Sequence, residues 1–472
     1  MRNKLMSVIS LVVLATLLFS ACTPAATTVA PTQPPAPTQP PAPTQPPAST
    51  AEPTAAEPTA VPIPMGEVKG VKPKGDGNLT LWIAGNNPDI MGVFDKVVAE
   101  FEKDNPGFKV TVQYIAWGDL STKLTTAFAG DVGPDVFMHG VAASAGFAAK
   151  DQLLDLTSYF QKLADKDDFL PALIKASTVN GELVMMPIQV TNYMLIYRKD
   201  LYTAAGLDPE KPPKTWDELL ANAVKLTKTD AKGITTAGLQ MPYEDNASVQ
   251  MAFAPILRTF GGDLMAADDQ SVAFNSDAGI AALQLYVDMV HKYKVSSIVP
   301  LPGDPTINMI GRGAAAQMII GQFDLITIKT NMPDIYKHIG VAVPPVGPSG
   351  NPSTMSSFSG FMINKNTKNP DDAWTLLSYL AAPSSLTTIT SGTLFLSPRK
   401  SMATADHVVS DPLFKAFADG MTYGRGNPNV PAWIAIRNAL GEQIINALHG
   451  KVSVEEALEA AETKANAAIK GQ

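Results

Sequence analysis

Residues 72–472 predict an α/β fold divided between two domains, on three observations. Strand-like and helical runs alternate from residue 79 onward, the pattern of parallel sheets flanked by helices. The chain has 472 residues and is 45% apolar, enough for two sizeable cores. Its single cysteine, Cys22, precedes the folded part, so those cores depend on burial and not on disulfides.

Residues 79–84 (Leu-Thr-Leu-Trp-Ile-Ala) read as the first strand. Phe94, Val97, Val98 and Phe101 then recur at helical spacing, and Asn105-Pro106-Gly107 stops that helix. Residues 109–115 alternate as a second strand, residues 120–128 continue as a helix, and residues 134–138 read as a third, buried strand. Residues 200–206 form a short helix that runs into the Pro-rich turn 208–213. Thr215-Trp216-Asp217-Glu218 has the form of a capping box, in which Thr215 accepts an amide proton and Glu218 reaches back. Ile280, Leu283, Val287 and Val290 line one face of a later helix. Residues 340–350, rich in Pro and Gly, read as a crossover or hinge. Ala373, Leu377 and Leu380 line another helix, opened by Pro370-Asp371, and helices around 436–448 and 454–469 close the chain. Trp82, Trp216 and Trp374 fall inside these elements and are expected in cores.

The N-terminus reads differently. Arg2 and Lys4 precede an apolar run over residues 8–19, followed by Ser20 and Ala21. That is the layout of a signal peptide, residues 1–21, and the run is shorter than the ~20 residues a membrane span needs. Leu18-Phe19-Ser20-Ala21-Cys22 resembles a bacterial lipobox, which makes Cys22 the lipidated first residue of an exported protein on the outer face of the cytoplasmic membrane. Residues 22–71 form a Pro/Thr/Ala-rich disordered tether, with Ala-Pro-Thr-Gln-Pro-Pro repeated at 30–35, 36–41 and 42–47. Proline fixes φ and removes an amide donor, leaving a semi-extended spacer. At roughly 3.1 Å per residue its stretch from 23 to 64, almost entirely Pro, Thr, Ala and Gln, reaches up to about 130 Å.

The net charge of −8 argues against nucleic acid. His139, His291, His338, His407 and His449 show no metal spacing, and no phosphate-binding loop or Gly-x-Ser-x-Gly elbow is present. No metal or cofactor is expected. Ser397-Pro398-Arg399-Lys400 fits Ser-x-x-Lys but lacks the partners of that chemistry. A glycosidase needs two carboxylates about 5–10 Å apart, and nothing in the sequence pairs Glu244, Asp263 and Asp324.

An ordered set of segments carries a resemblance: LTLWIAGNN (79–87), VVAEFEKDNPGFKVTV (97–112), GPDVF (133–137), NGELVMMP (180–187), LIYRKDL (195–201), PKTWDEL (213–219), GRGAAAQMIIG (311–321), NPDDAWTLLSYL (369–380), NPNVPAWIAIR (427–437) and VEEAL (454–458). Together they resemble the bacterial extracellular solute-binding proteins of ABC importers, in the group containing maltose-binding protein. The resemblance implies a periplasmic-binding-protein-like fold. Two α/β lobes of discontinuous segments, 72–188 with 341–383 and 189–340 with 384–472, would flank a hinge and an interlobe cleft. Crossings are expected near 187–192, 340–345 and 381–386. It also implies a monomer that is not an enzyme and that delivers a small solute, foremost a sugar or oligosaccharide, to the transmembrane subunits of a permease. Other polar solutes (glycerol phosphate, a polyol or a polyamine) or a secreted carbohydrate-active hydrolase are the alternatives.

Sugars present apolar ring faces and hydroxyl edges, so a site for them combines aromatic platforms with in-plane donors and acceptors. The resemblance places such residues on loops after strand ends. They are Asn86 and Asn87 after the first strand, Trp117 after the second and His139 after the third. Ala142 and Ala143 stand where maltose-type relatives carry a charged pair, which argues against maltose itself. Gln189, Thr191 and Asn192 lie beside the first crossing, and Tyr243 and Glu244 in a later loop. Gln322, Phe323 and Asp324 follow, with Ser359 opposite and Trp433 one helical turn before Arg437. Phe323 and Trp433 are the expected stacking platforms.

Overall fold

The computed structural model describes residues 68–305 and 307–471. The signal peptide, Cys22 and all but the last four residues of the tether lie outside the described residues. Among the described residues no helix is long and apolar enough to cross a membrane.

Strand β1 (Asn78–Ala84) buries Leu79, Leu81 and Ile83 on alternate positions. Helix α1 (Pro88–Asp104) follows, with proline in its first turn and Asn87 as its cap. Its stripe of Phe94, Val97, Val98 and Phe101 is buried as the spacing predicts. Strand β2 (Lys109–Ile115) pairs parallel with one side of β1, and β3 (Val136–Gly140) pairs parallel with the other. Helix α2 (Trp117–Ala129) joins β2 toward β3.

The rest of the sheet turns on one long strand. β4 (Met186–Arg198) runs for 13 residues. Its far half pairs antiparallel with β5 (Gln317–Gly321) and β6 (Ile339–Ala342). Its near half pairs antiparallel with β7 (Thr354–Ile363), which also pairs antiparallel with β3. A short β8 (Gly424–Arg425) adds to the start of β7, giving an eight-stranded sheet with the central order β6-β4-β7-β3-β1-β2. The sheet is therefore mixed and not wholly parallel. A chain that leaves one core along β4 and returns along β7 runs against itself.

Two main cores sit at the ends of this sheet. The first gathers β1, β3, α1, the near half of β4 and α6 (Pro370–Leu380). The second gathers α3 (Trp216–Leu226), α4 (Asn246–Thr259), α5 (Asp277–His291), α8 (Trp433–Leu448) and α9 (Val454–Lys470). A smaller core around Met194, Ile196 and Leu325 lies beneath the far half of β4. Each fully buried Leu or Phe contributes about 1.5–3 kcal/mol, so these cores supply the main stabilising term.

The crossings differ from expectation. The first does run along β4. Residues 343–350 stay on the helices of the second core, where the Val346 amide donates to the Lys214 carbonyl and the Ser349 amide to the Thr259 carbonyl (2.9 and 3.0 Å). The return is carried by β7. The third crossing comes later than 381–386. Helix α7 (Pro383–Thr393) packs on α1, and Leu386, Ile389, Met402 and Phe414 belong to the first core. Buried Arg399 ties this stretch down through Asp165 and Asp168 (2.9 and 3.4 Å). The chain rejoins the second core at Ala432 and Trp433. Apolar periodicity reports that a helix is buried, not which core buries it. The expected capping box at α3 is half made: Thr215 accepts from the Glu218 amide, but Glu218 reaches the Lys214 amide instead of that of Thr215.

Candidate functional site

Between the two main cores lies a cleft of about 1170 Å³. Its floor is built from the pairing of β4 with β7. Gln189 lies opposite Ser359 and Thr191 opposite Ser357, and Tyr193 continues the same face of β4. Gly360 permits this close crossing, since a Cβ there would lie 2.2 Å from the Met186 carbonyl oxygen.

Among the described residues, the side chains of Gln189, Thr191, Tyr193, Ser357 and Ser359 make no hydrogen bond within the protein. The Gln189 Oε1 is buried and without a partner in a residue only 4% exposed. Buried polar atoms are nearly always bonded, so the unpartnered Gln189 Oε1, set among polar side chains open to the cleft, marks a place prepared for something else.

The walls are aromatic and charged. Trp117, at the start of α2, is 48% exposed and stands edge-on to His139 (6.1 Å, 84°). His139 is buried and meets the Ser121 hydroxyl through Nε2 at 3.0 Å, with the Gly140 backbone beside its ring. Burial, helped by the charge of Arg437, lowers its pKa to about 4, so the ring is neutral. Arg437 donates to the neighbouring Asn438 Oδ1 (3.0 and 3.2 Å). Its own pKa is lowered by burial against the opposing pull of Asp245. On the opposite wall Phe323 stacks on Phe395 (5.4 Å, 24°) and meets Tyr193 edge-on (6.3 Å, 77°). Burial pushes the adjoining Asp324 carboxyl up to about 7. Burial and the Asp324 charge together raise the Tyr193 hydroxyl.

The expected residues divide into two groups. Asn86, Asn87, Trp117, His139, Gln189, Thr191, Glu244, Phe323, Asp324, Ser359, Trp433 and Arg437 line the cleft. Asn87 is also the cap of α1, accepting from the Asp89 and Ile90 amides (2.9 and 3.4 Å). Trp433, expected as an open platform, is 2% exposed and belongs mainly to the second core. Three residues do not reach the cleft wall. Asn192 and Gln322 turn inward: the Asn192 amide donates to Gln322 Oε1 (3.1 Å) and Gln322 Nε2 to the Val190 carbonyl (2.7 Å). Asn192 Nδ2 donates to the Phe417 carbonyl (3.1 Å), while its Oδ1 accepts from Thr354 and Ser356. Tyr243 packs against the second core. Asp263 lies outside the cleft, held by Arg258 and Arg425 (3.2 and 2.5 Å).

The family model for the bacterial extracellular solute-binding proteins matches residues 84–385. This chain belongs to that family. As a solute-binding protein it is 26% identical, over 378 residues, to a binding-protein sequence of Brucella abortus (strain 2308), covering 80% of this chain and 90% of the other. Among solved structures it is similar to an ABC-transporter solute-binding protein from Thermotoga lettingae TMO bound with α-D-tagatose. There the TM-score is 0.76 and the identity 25%, over 83% of this chain and 99% of that one. The substrate-binding protein Lmo0181 of Listeria monocytogenes, in complex with cycloalternan, gives a TM-score of 0.73 at 25% identity, over 83% and 99% of the two chains. The family and these neighbours are binding proteins of ABC transporters and not enzymes.

Sequence reasoning about this solute-binding protein missed Tyr193, Ser357 and Phe395, which line the cleft with the expected set. Tyr193 was within reach, because it is two residues beyond Thr191 on a strand and so shares its face. Phe395 had no local signal. It follows Leu394, whose left-handed backbone (φ 59°) ends α7 and turns the chain toward the cleft.

Proposed function

We propose that this protein is the extracytoplasmic receptor of an ABC importer and binds a sugar or oligosaccharide between its lobes. The observation that carries the reading is the open polar floor, with its unpartnered Gln189 Oε1, beside the exposed Trp117 ring and the half-buried Phe323 ring. Stacking surfaces next to free donors and acceptors suit a molecule with apolar ring faces and hydroxyl edges. The sugars held by the Thermotoga and Listeria proteins support the same class. A phosphate ligand would meet Glu244, Asp245 and Asp324 with Arg437 as its cation, which disfavours glycerol phosphate.

In this reading the lobes consist of 72–188 with residues from about 354 to 414, and 189–353 with the C-terminal remainder. The cleft-lining residues from both lobes contact the ligand, so it stabilises the closed form by its differential contacts. The closed monomer then presents both lobes to the permease. Cys22 carries the lipid, and the proline-rich segment is the leash.

A melting-temperature screen of the protein against sugars, polyols, amino acids and sn-glycerol 3-phosphate tests the ligand class, since only a true ligand raises stability by mass action. Sugars should raise it and the phosphate should not. A shift with sn-glycerol 3-phosphate alone would reverse the assignment. Incorporation of labelled palmitate that is lost in Cys22→Ser tests the anchor.

A further inference from the structure

One corner of the cleft is built for more than hydroxyl groups. Asp324 follows Phe323 in the one-turn 3-10 segment Gln322–Leu325, after the end of β5. Around it stand the stacked Phe323–Phe395 pair and Tyr193, whose hydroxyl feels the Asp324 charge. Among the described residues Asp324 has no ion-pair partner, although it is half-buried in the cleft wall, with only the Gly321 backbone beside its carboxyl. Arg437 is set against Asp245 and His139 instead. Gln189, on the adjoining floor, adds a second acceptor with no donor.

A carboxylate withdrawn from water without a counter-charge is costly. A neutral sugar leaves that cost in place. A ligand ammonium group removes it and gains the ring faces, which attract cations. Three aromatic rings beside one unpaired acid is the arrangement that recognises such groups. We propose that the corner formed by Asp324, Phe323, Phe395 and Tyr193 is a subsite for a protonated amine carried by the ligand, so that the preferred solute is an amino sugar. The proposal rests on the sugar reading above and narrows it.

The test compares melting shifts of the full chain, wild type and Asp324→Asn, with glucose, glucosamine, N-acetylglucosamine, chitobiose and its de-acetylated form, and spermidine. The free-amine sugars should stabilise wild type more than their neutral counterparts, matching an affinity gain of about tenfold or more. In Asp324→Asn that preference should vanish, the shifts with amine and neutral sugars becoming equal. Equal shifts with amine and neutral sugars in wild type, or a preference that survives Asp324→Asn, overturn the subsite and leave the sugar reading standing. A shift with spermidine alone, lost in Asp324→Asn, supports the amine subsite and removes the sugar reading. No shift with any compound counts against both.

Discussion

Thr191 and Asn192 are neighbours on one strand, yet they face opposite chemical situations. Thr191 points into the cleft and makes no side-chain hydrogen bond among the described residues. Asn192 points the other way and bonds Thr354, Ser356 and the Phe417 carbonyl, with its amide on Gln322. The alternation of a β-strand separates the two roles. On one face the polar groups are satisfied and lock β4 to β7. On the other they are left open, at the same depth in the molecule. Buried polarity by itself therefore says little about function here; the state of its hydrogen bonds does.

Mutations can break that comparison. The largest loss is expected at Trp433→Ala, because the ring is buried in the second core: about 3–5 kcal/mol of unfolding free energy by denaturant titration. A smaller loss would show that Trp433 is a platform after all. Asn192→Ala should cost about 2–3 kcal/mol in the same measurement, since it strands the partners of a buried amide. Thr191→Val keeps the shape and should change stability by less than about 0.5 kcal/mol. Its effect should fall on ligand affinity instead, about tenfold or 1.4 kcal/mol by calorimetry. If Thr191→Val unfolds the protein as readily as Asn192→Ala, the two faces are not different in kind.

A separate effect concerns pH, and two groups act with opposite sign. Asp324 titrates near 7 in the folded protein against 3.8 ordinarily. Its contribution is fully present below the ordinary value and is lost as pH rises through about 7. Asp324→Asn should therefore stabilise the protein relative to wild type at about pH 8, with the difference fading toward pH 4. His139 titrates near 4 against 6.5. The stability it contributes is present above the ordinary value and is lost as pH falls toward about 4. Melting curves of Asp324→Asn and His139→Gln across this range should diverge in opposite directions.

The sequence made some of this legible and not the rest. The stripe of α1 and the alternation of β1 follow from local spacing, and both are buried as that spacing predicts. Trp117 was found because it follows a strand end, where ligand-facing loops lie; His139, expected after the third strand, lies within the end of β3 and still reaches the cleft. Asn192 was grouped with Thr191 because composition alone does not tell which parity of β4 faces the cleft. Trp433 was taken as a platform because an aromatic near a binding loop looks the same in sequence whether or not a helix buries it. Phe395 needed the left-handed turn at Leu394 and a partner more than seventy residues earlier, neither of which local pattern reveals.

The weave of the chain between its cores has a consequence for how the protein can be made. The first core is incomplete without Phe414 and the second without Ala465. A polypeptide emerging from its N-terminus thus completes the first core only with Phe414 and the second only with Ala465. No single cut yields an autonomous lobe. The same interlacing makes its two sides a single unit instead of exchangeable parts.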